Sequence, residues 1–278
     1  MNVRRGVWIA LGLVAVLCVV GGAVVVANSD RWRSSCGGSA SRGSAQEGVA
    51  RSIREKLPSF GEGTSVAIEV VDLDSCAEVV ALDADSGFPT ASVVKLLIAI
   101  DAVERSSGTA VGDLQRMLSA SDDQVASRLW TAGGGPDIVR RTAAKLGLAD
   151  TAPPESPGQW GNTRMSARDI ARVYQYLTAE ADADTRKLLL GAMGDAPDAA
   201  VDGFPQHFGI PDGLPDHNWA IKQGWGSTDA NTVLHTTGLV SGERDLVVVL
   251  LSTWPPDTDW TVARASLTAA AHSLDRIA

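Results

Sequence analysis

Ser92 and Lys95 stand three residues apart in Ser92-Val93-Val94-Lys95, a hydroxyl and an amine that fall on one face of a helix, one turn apart. A serine hydroxyl is a weak nucleophile at neutral pH and needs a base within hydrogen-bond reach. Val94, Leu96, Leu97 and Ile98 surround the lysine with apolar groups, which lowers an amine's pKa toward the neutral form that can take the serine proton. Ser121-Asp122-Asp123 adds a second hydroxyl, and Lys222-Gln223-Gly224-Trp225 adds a second cation on a strand-like run. Together these read as a serine acyl-transfer site. Each piece also has a plainer reading: Ser92 as a helix N-cap with Lys95 snorkelling, Ser121 and Asp122 as a cap, Lys222 as an edge-strand charge.

The elements that would position them follow from periodicity. Val49, Ile53 and Leu57 predict a helix ended by Pro58, Thr64 to Leu73 and Ala77 to Leu82 predict a hairpin, and the segment from Ser92 is apolar on every side, as in a buried helix. Helical spacing then runs through Val111 to Leu118, Asp123 to Thr131, Asp137 to Leu146, Ala167 to Leu177 and Ala183 to Met193. Gly133-Gly134-Gly135-Pro136 and Ala152-Pro153-Pro154 supply turns between them. Strand patterns return over Trp219 to Gln223, Thr232 to Val240 and Leu246 to Ser252, with Gly242 in the last hairpin, and Trp260 to Ile277 closes the chain as a helix. The expected fold class is α+β: an antiparallel sheet flanked by terminal helices, with a helical block over about 102–216 inserted between the early and late strands.

The three motifs, in this order, resemble the S-x-x-K, S-D-N and K-T-G motifs of the penicillin-recognising serine enzymes, the β-lactamases and penicillin-binding proteins. Gly134-Gly135-Pro136 and Asn162 to Asp169 are similar to turns of class A β-lactamases, so the resemblance covers roughly residues 46–277. It implies a β-lactamase/transpeptidase-like fold in which Ser92 is the nucleophile, Lys95 the base and Ser121 the proton shuttle. It also implies that Lys222 anchors a substrate carboxylate, that Gly224 admits the substrate backbone, and that the N–H groups of Ser92 and Trp225 form an oxyanion hole. The implied ligand is a β-lactam or a D-alanyl cell-wall peptide, with neither a metal nor an organic cofactor.

The chain departs from that pattern at three places. Asp123 stands where an Asn is usual; a carboxylate accepts hydrogen bonds only, and it can hold Lys95 protonated. Gln223 replaces the usual Thr or Ser, keeping a donor on a bulkier group. In the loop Ala149 to Gly161, Glu155 is the only glutamate at the place of the family's deacylating base, and its surroundings do not match. These changes predict slow deacylation, or a binding protein that keeps the fold with weakened chemistry; a structural scaffold is a third reading.

The 278 residues carry a net charge of −9, with 45% hydrophobic and 21% charged residues, which argues against nucleic acid or anionic lipid as a partner. Arg4 and Arg5 precede an uncharged run from Val7 to Ala27, long enough to span a bilayer. Residues 1–28 therefore read as a membrane anchor or a signal peptide, residues 29–44 as a Gly/Ser-rich tether, and residues 45–278 as the body, outside the cell membrane or secreted. Leu17 before Cys18 is unlike a lipidation site, and an oxidising exterior would allow Cys36 and Cys76 to pair. No C-x-x-C, H-E-x-x-H, G-x-G-x-x-G or G-x-S-x-G occurs. His207, His217, His235 and His272 therefore lack a serine elbow to serve. Asp202 to Gly209 reads as a loop leading toward the sheet, whose aromatics either wall the cleft or pack structurally, the second reading being the plainer, and a monomer is expected.

Overall fold

The computed structural model of the protein describes residues 60–105, 109–228 and 230–278, with positions 51, 53 and 55 before them. The expected anchor and tether, Cys18, Cys36, Val49 and Leu57 lie outside the described residues. Ile53 lies within them and is buried. Among the described residues no helix is long and apolar enough to cross a membrane. Cys76 is in a disulfide.

β-branched, period-two segments make the central sheet. Strands β1 (Ser65–Asp72) and β2 (Glu78–Leu82) form the early hairpin, while β5 (Asn218–Ile221), β6 (Gly224–Ser227), β7 (Thr232–Ser241) and β8 (Asp245–Trp254) come late. All pairings are antiparallel, in the order β2-β1-β8-β7-β5, with β6 continuing along the same edge of β7. Alternation sorts side chains to two faces. From β8, Val247, Val249 and Leu251 enter one core, and Leu246, Val248 and Leu250 enter the other. Every residue of β7 is buried, which explains why the late strands read as continuous apolar runs.

One face of the sheet carries α1 (Lys95–Glu104), α2 (Val111–Ser119), α3 (Asp123–Ala132), α4 (Pro136–Leu146), α5 (Ala167–Gln175) and α6 (Ala183–Gly194). The other carries α7 (Ile210–Gly213) and α8 (Trp260–His272), with Ile53 and Phe60. The helix starts are set locally: Asp122, Ser166, Asp182 and Asp259 each accept a backbone N–H from the first turn of α3, α5, α6 and α8, each such cap being worth about 1 kcal/mol. Gly134 and Gly135 take positive φ to turn the chain into α4. Each fully buried Leu, Ile or Val on these faces contributes about 1.5–3 kcal/mol.

Four details differ from the periodic reading. The segment from Ser92 opens as a 3-10 turn, Ala91–Val94, before α1 begins at Lys95, and Thr90 rather than Ser92 holds the N-cap position. The stretch Trp219 to Gln223 breaks at Lys222 and Gln223, with the same register to β7 on both sides of the break. Helix α5 ends two residues early in a π turn, Tyr176–Glu180, and α8 ends at His272. The two-residue strands β3 (Phe88–Pro89) and β4 (Arg164–Met165) pair with each other, too short to leave a sequence signal.

His235 on β7 ties the sheet to the segment before Ser92. Its Nδ1 accepts the Ser252 N–H at 3.1 Å, so Nε2 carries the proton and donates to the Pro89 carbonyl at 2.7 Å. Burial lowers its pKa from 6.5 to about 4. A depressed histidine contributes stability that is complete above 6.5 and lost as pH falls toward 4, at about 1.4 kcal/mol per unit. Urea unfolding at pH 7 and pH 4.5 is therefore expected to show wild type losing about 2–3 kcal/mol more than His235→Gln; equal losses would contradict this assignment.

Candidate active site

Two turns with strained backbone deliver the serines. Ala91, just before Ser92, and Ser121 itself have left-handed φ of 45° and 55°, a conformation that costs a non-glycine residue on the order of 1–3 kcal/mol and that clusters at functional sites. The turn at Ser121 is fixed by the next residue, Asp122, which caps α3 and pairs with Arg116. Burial works against the Asp122 carboxylate, yet the N–H groups of Val125 and Gln124 and the Arg116 guanidinium hold its pKa below the usual value.

Lys95 projects from the first turn of α1 into the gap between these turns. Its Nζ lies 2.9 Å from Ser92 Oγ, 3.0 Å from Ser121 Oγ, 2.7 Å from the Ser121 carbonyl and 2.5 Å from Asp123 Oδ1. Lys222 approaches from the strand break, 3.0 Å from Ser121 Oγ and 3.0 Å from the Gln223 carbonyl. Ser121 Oγ thus bridges two lysines that are 0% and 1% exposed. Burial lowers the Lys95 pKa, with Asp123 opposing. Burial together with the nearby Lys95 charge sets Lys222 well below 10.5.

Each amine also lies near an indole. The Trp160 ring centre is 5.1 Å from Lys95 Nζ and that of Trp225 is 5.7 Å from Lys222 Nζ, cation–π distances that favour the charged form modestly. Trp160 comes from the loop after α4, pinned where Trp130 Nε1 donates to the Pro157 carbonyl and Trp160 Nε1 to Ser127 Oγ. Trp225 stacks on Phe204 at 4.8 Å, and its Nε1 donates to Asp202 Oδ2. The open cleft, about 380 Å³, is lined by Ser92, Asp123, Trp160, Asp202 and Trp225 among others.

The structure thus brings Ser92, Lys95, Ser121, Asp123 and Lys222 into one hydrogen-bonded group. Other expected site residues are placed differently. The Gln223 amide donates to the carbonyls of Gln206 and Phe208, and its oxygen is buried without a partner among the described residues. Its donor is therefore turned inward, because a residue next to Lys222 on a strand faces the opposite side. Lys222 presents no exposed ammonium to a substrate carboxylate. Glu155 is exposed and absent from the cleft lining, to which its loop contributes Gly158 to Asn162. Trp160 carried no sequence signal as a cleft residue, and the Asp202 loop stands out in the sequence for its aromatics rather than for its carboxylate, because loop contacts across 65 and 23 positions have no periodicity.

Lys222 N–H donates to the Thr237 carbonyl at 2.8 Å, so by the alternation of an antiparallel ladder the Trp225 N–H points away from β7. Ser92 N–H sits in the first turn of its 3-10 helix, where N–H groups lack intrahelical partners. These are the two donors an oxyanion hole needs.

A search of structures finds the same architecture in enzymes. A class A β-lactamase from Bacteroides cellulosilyticus superposes with TM-score 0.64 at 14% identity, over 82% of this chain and 98% of that one. The β-lactamase from Streptomyces albus G gives 0.64 at 20% identity, over 82% and 98%. PBP-A gives 0.66 at 17%, over 87% and 98%. The chain has the β-lactamase and penicillin-binding-protein fold. No family model matches the sequence. The protein named "Putative lipoprotein LppW" in Mycobacterium tuberculosis and Mycobacterium bovis is 36% identical over 196 residues, 66% of this chain. The match spans 62% of the length of those relatives.

Within this β-lactamase-type fold, Gly224 is required by packing. A Cβ there would lie 2.8 Å from the Thr90 carbonyl oxygen and 3.0 Å from Val93 Cγ2. Gly224→Ala is expected to push the strand off the Ser92 turn and to destabilise by about 1–3 kcal/mol in urea unfolding. An unchanged midpoint and slope would show that the turn yields freely.

Proposed function

We propose that the protein is an exported serine acyl-transfer enzyme of the β-lactamase and D,D-peptidase type. The observation that carries this reading is the Lys95 amine, fully buried and in hydrogen-bond contact with both Ser92 Oγ and Ser121 Oγ. A lysine that merely snorkels would reach solvent; this one is spent on two hydroxyls. The β-lactamase and PBP-A neighbours share the fold, and a mutant of PBP-A has been solved as an acyl-enzyme complex with penicillin-G.

In this reading neutral Lys95 takes the Ser92 proton as Oγ attacks the substrate carbonyl carbon. The Ser92 and Trp225 N–H groups receive the developing oxyanion. As the carbon–nitrogen bond breaks, Ser121 Oγ passes a proton to the leaving nitrogen and is resupplied by Lys95, leaving an ester on Ser92. Lys222 holds the Ser121 hydroxyl in place and favours proton donation from it. Asp123 sets the fraction of Lys95 that is neutral, and so the rate. Glu155 is not proposed as a deacylation base: Trp160, not a carboxylate, is the residue of its loop beside Lys95, so the ester hydrolyses slowly. The domain layout we propose is residues 45–278 as the catalytic body, held outside the membrane by residues 1–44. The lipoprotein name of the mycobacterial relatives supports export.

Intact-protein mass spectrometry after incubation with millimolar penicillin G tests the reading. The expected result is a gain of one penicillin mass over hours, absent in Ser92→Ala, with slow steady hydrolysis of nitrocefin. No adduct and no hydrolysis would leave a ligand-binding protein that kept the fold.

A further inference from the structure

The charges that face the cleft have the wrong sign for a carboxylate ligand. Among the described residues its lining contains two acidic side chains, Asp123 and Asp202, and no Lys or Arg. Asp123 is 64% exposed even while one of its oxygens holds Lys95, so the other oxygen is available to a ligand. Asp202 is exposed at the cleft wall, its Oδ2 taking Trp225 Nε1 and its Oδ1 the Phe204 N–H, each at 2.9 Å. These two bonds fix the carboxylate rather than neutralise it. Its field reaches inward, since it bears on the protonation of both Lys95 and Lys222.

The two lysines do not reverse this sign at the cleft surface. Both are buried, hydrogen-bonded to hydroxyls and carbonyls, and close to indole rings. Lys95 is balanced by Asp123 at 2.5 Å. Beyond Ser227 and Thr228 the cleft continues into a second hollow of about 750 Å³, lined by Asp257, Asp259 and Trp260, again with no Lys or Arg among the described residues. Arg164 lines a different hollow, which meets the cleft at Pro89, and its guanidinium donates to the Gly87 carbonyl. The indoles of Trp160 and Trp225 line the same cleft and carry no charge to offset the two carboxylates.

Building on the Ser92 reading above, we infer that the ligand this cleft selects carries an ammonium or guanidinium group close to the acyl carbon, held between Asp123 and Asp202 against the tryptophan rings. The substrate class is an amine-bearing peptide or amide, and a free carboxylate on the ligand is a penalty. The bond formed and broken at Ser92 is unchanged; the charge of the ligand decides how often it is reached. A unit charge pair at contact distance near a protein surface sets the expected preference at about fivefold or more at low salt.

Ampicillin is penicillin G with one added ammonium, and penicillin G methyl ester is penicillin G without its carboxylate. Second-order acylation rates, read by adduct mass, are expected to rise about fivefold or more from penicillin G to either analogue. The gain from ampicillin should shrink toward one in Asp202→Asn, which keeps an acceptor oxygen for Trp225, and in Asp123→Asn, and should fall in 1 M salt. A faster reaction with penicillin G than with either analogue, or a preference indifferent to both substitutions, would overturn the inference. Saturation-transfer NMR with benzylamine and benzoate separates this idea from the Ser92 chemistry. Selective benzylamine binding without any penicillin adduct would refute the acyl-enzyme and keep the charge selection; equal signals, benzoate alone or neither would refute the charge selection.

Discussion

The amine of Lys95 is the point on which the rest of the site depends. An ammonium taken out of water costs several kcal/mol unless its donors are all used, and here Ser92 Oγ, Ser121 Oγ, the Ser121 carbonyl and Asp123 Oδ1 surround it. Its partners are delivered by the left-handed turn at Ser121, the Asp122-capped start of α3, and the Ser92 turn packed against β6. The strained positions, the cap and the close-packed glycine all lie around one buried amine. A lysine left in that place without these partners would destabilise the fold rather than serve it.

Asp122 and Asp123 are neighbours with opposite tasks. Asp122 is buried and spends its oxygens on two N–H groups and Arg116, which fixes backbone. Asp123, one residue on, points to the cleft and spends one oxygen on Lys95. An amide at that position would keep the contact without the charge, so the carboxylate changes the electrostatics of the nucleophile while leaving the geometry alone. The same carboxylate, with Asp202, gives the cleft a negative surface although two lysines lie just beneath it.

Much of this was legible in the sequence. Ser92 and Lys95 meet through helical spacing, the strands show their period of two, and the Ser121-Asp122 cap announces the start of α3. The resemblance of the three motifs to penicillin-recognising enzymes led to the fold that the structural neighbours share. What was not legible has physical reasons. Gln223 turned inward because strand alternation puts it on the side opposite Lys222, a parity obscured by the break at those two residues. Trp160 and Asp202 reach the cleft through loops, where position is set by distant anchors such as Trp130 on the Pro157 carbonyl. Helix α7 has four residues and β3 two, too few for any pattern.

The most direct test is the protonation of the two amines. The chain has only five lysines, Lys56, Lys95, Lys145, Lys187 and Lys222, so a 13Cε NMR titration of lysine-labelled protein resolves each, with Lys95→Met and Lys222→Met assigning two. The account predicts that both titrate below the ordinary 10.5, Lys222 lower than Lys95, and that Asp123→Asn moves Lys95 down further. Titration of both at or above 10.5 would mean that neither amine is available as a base, and would contradict the account.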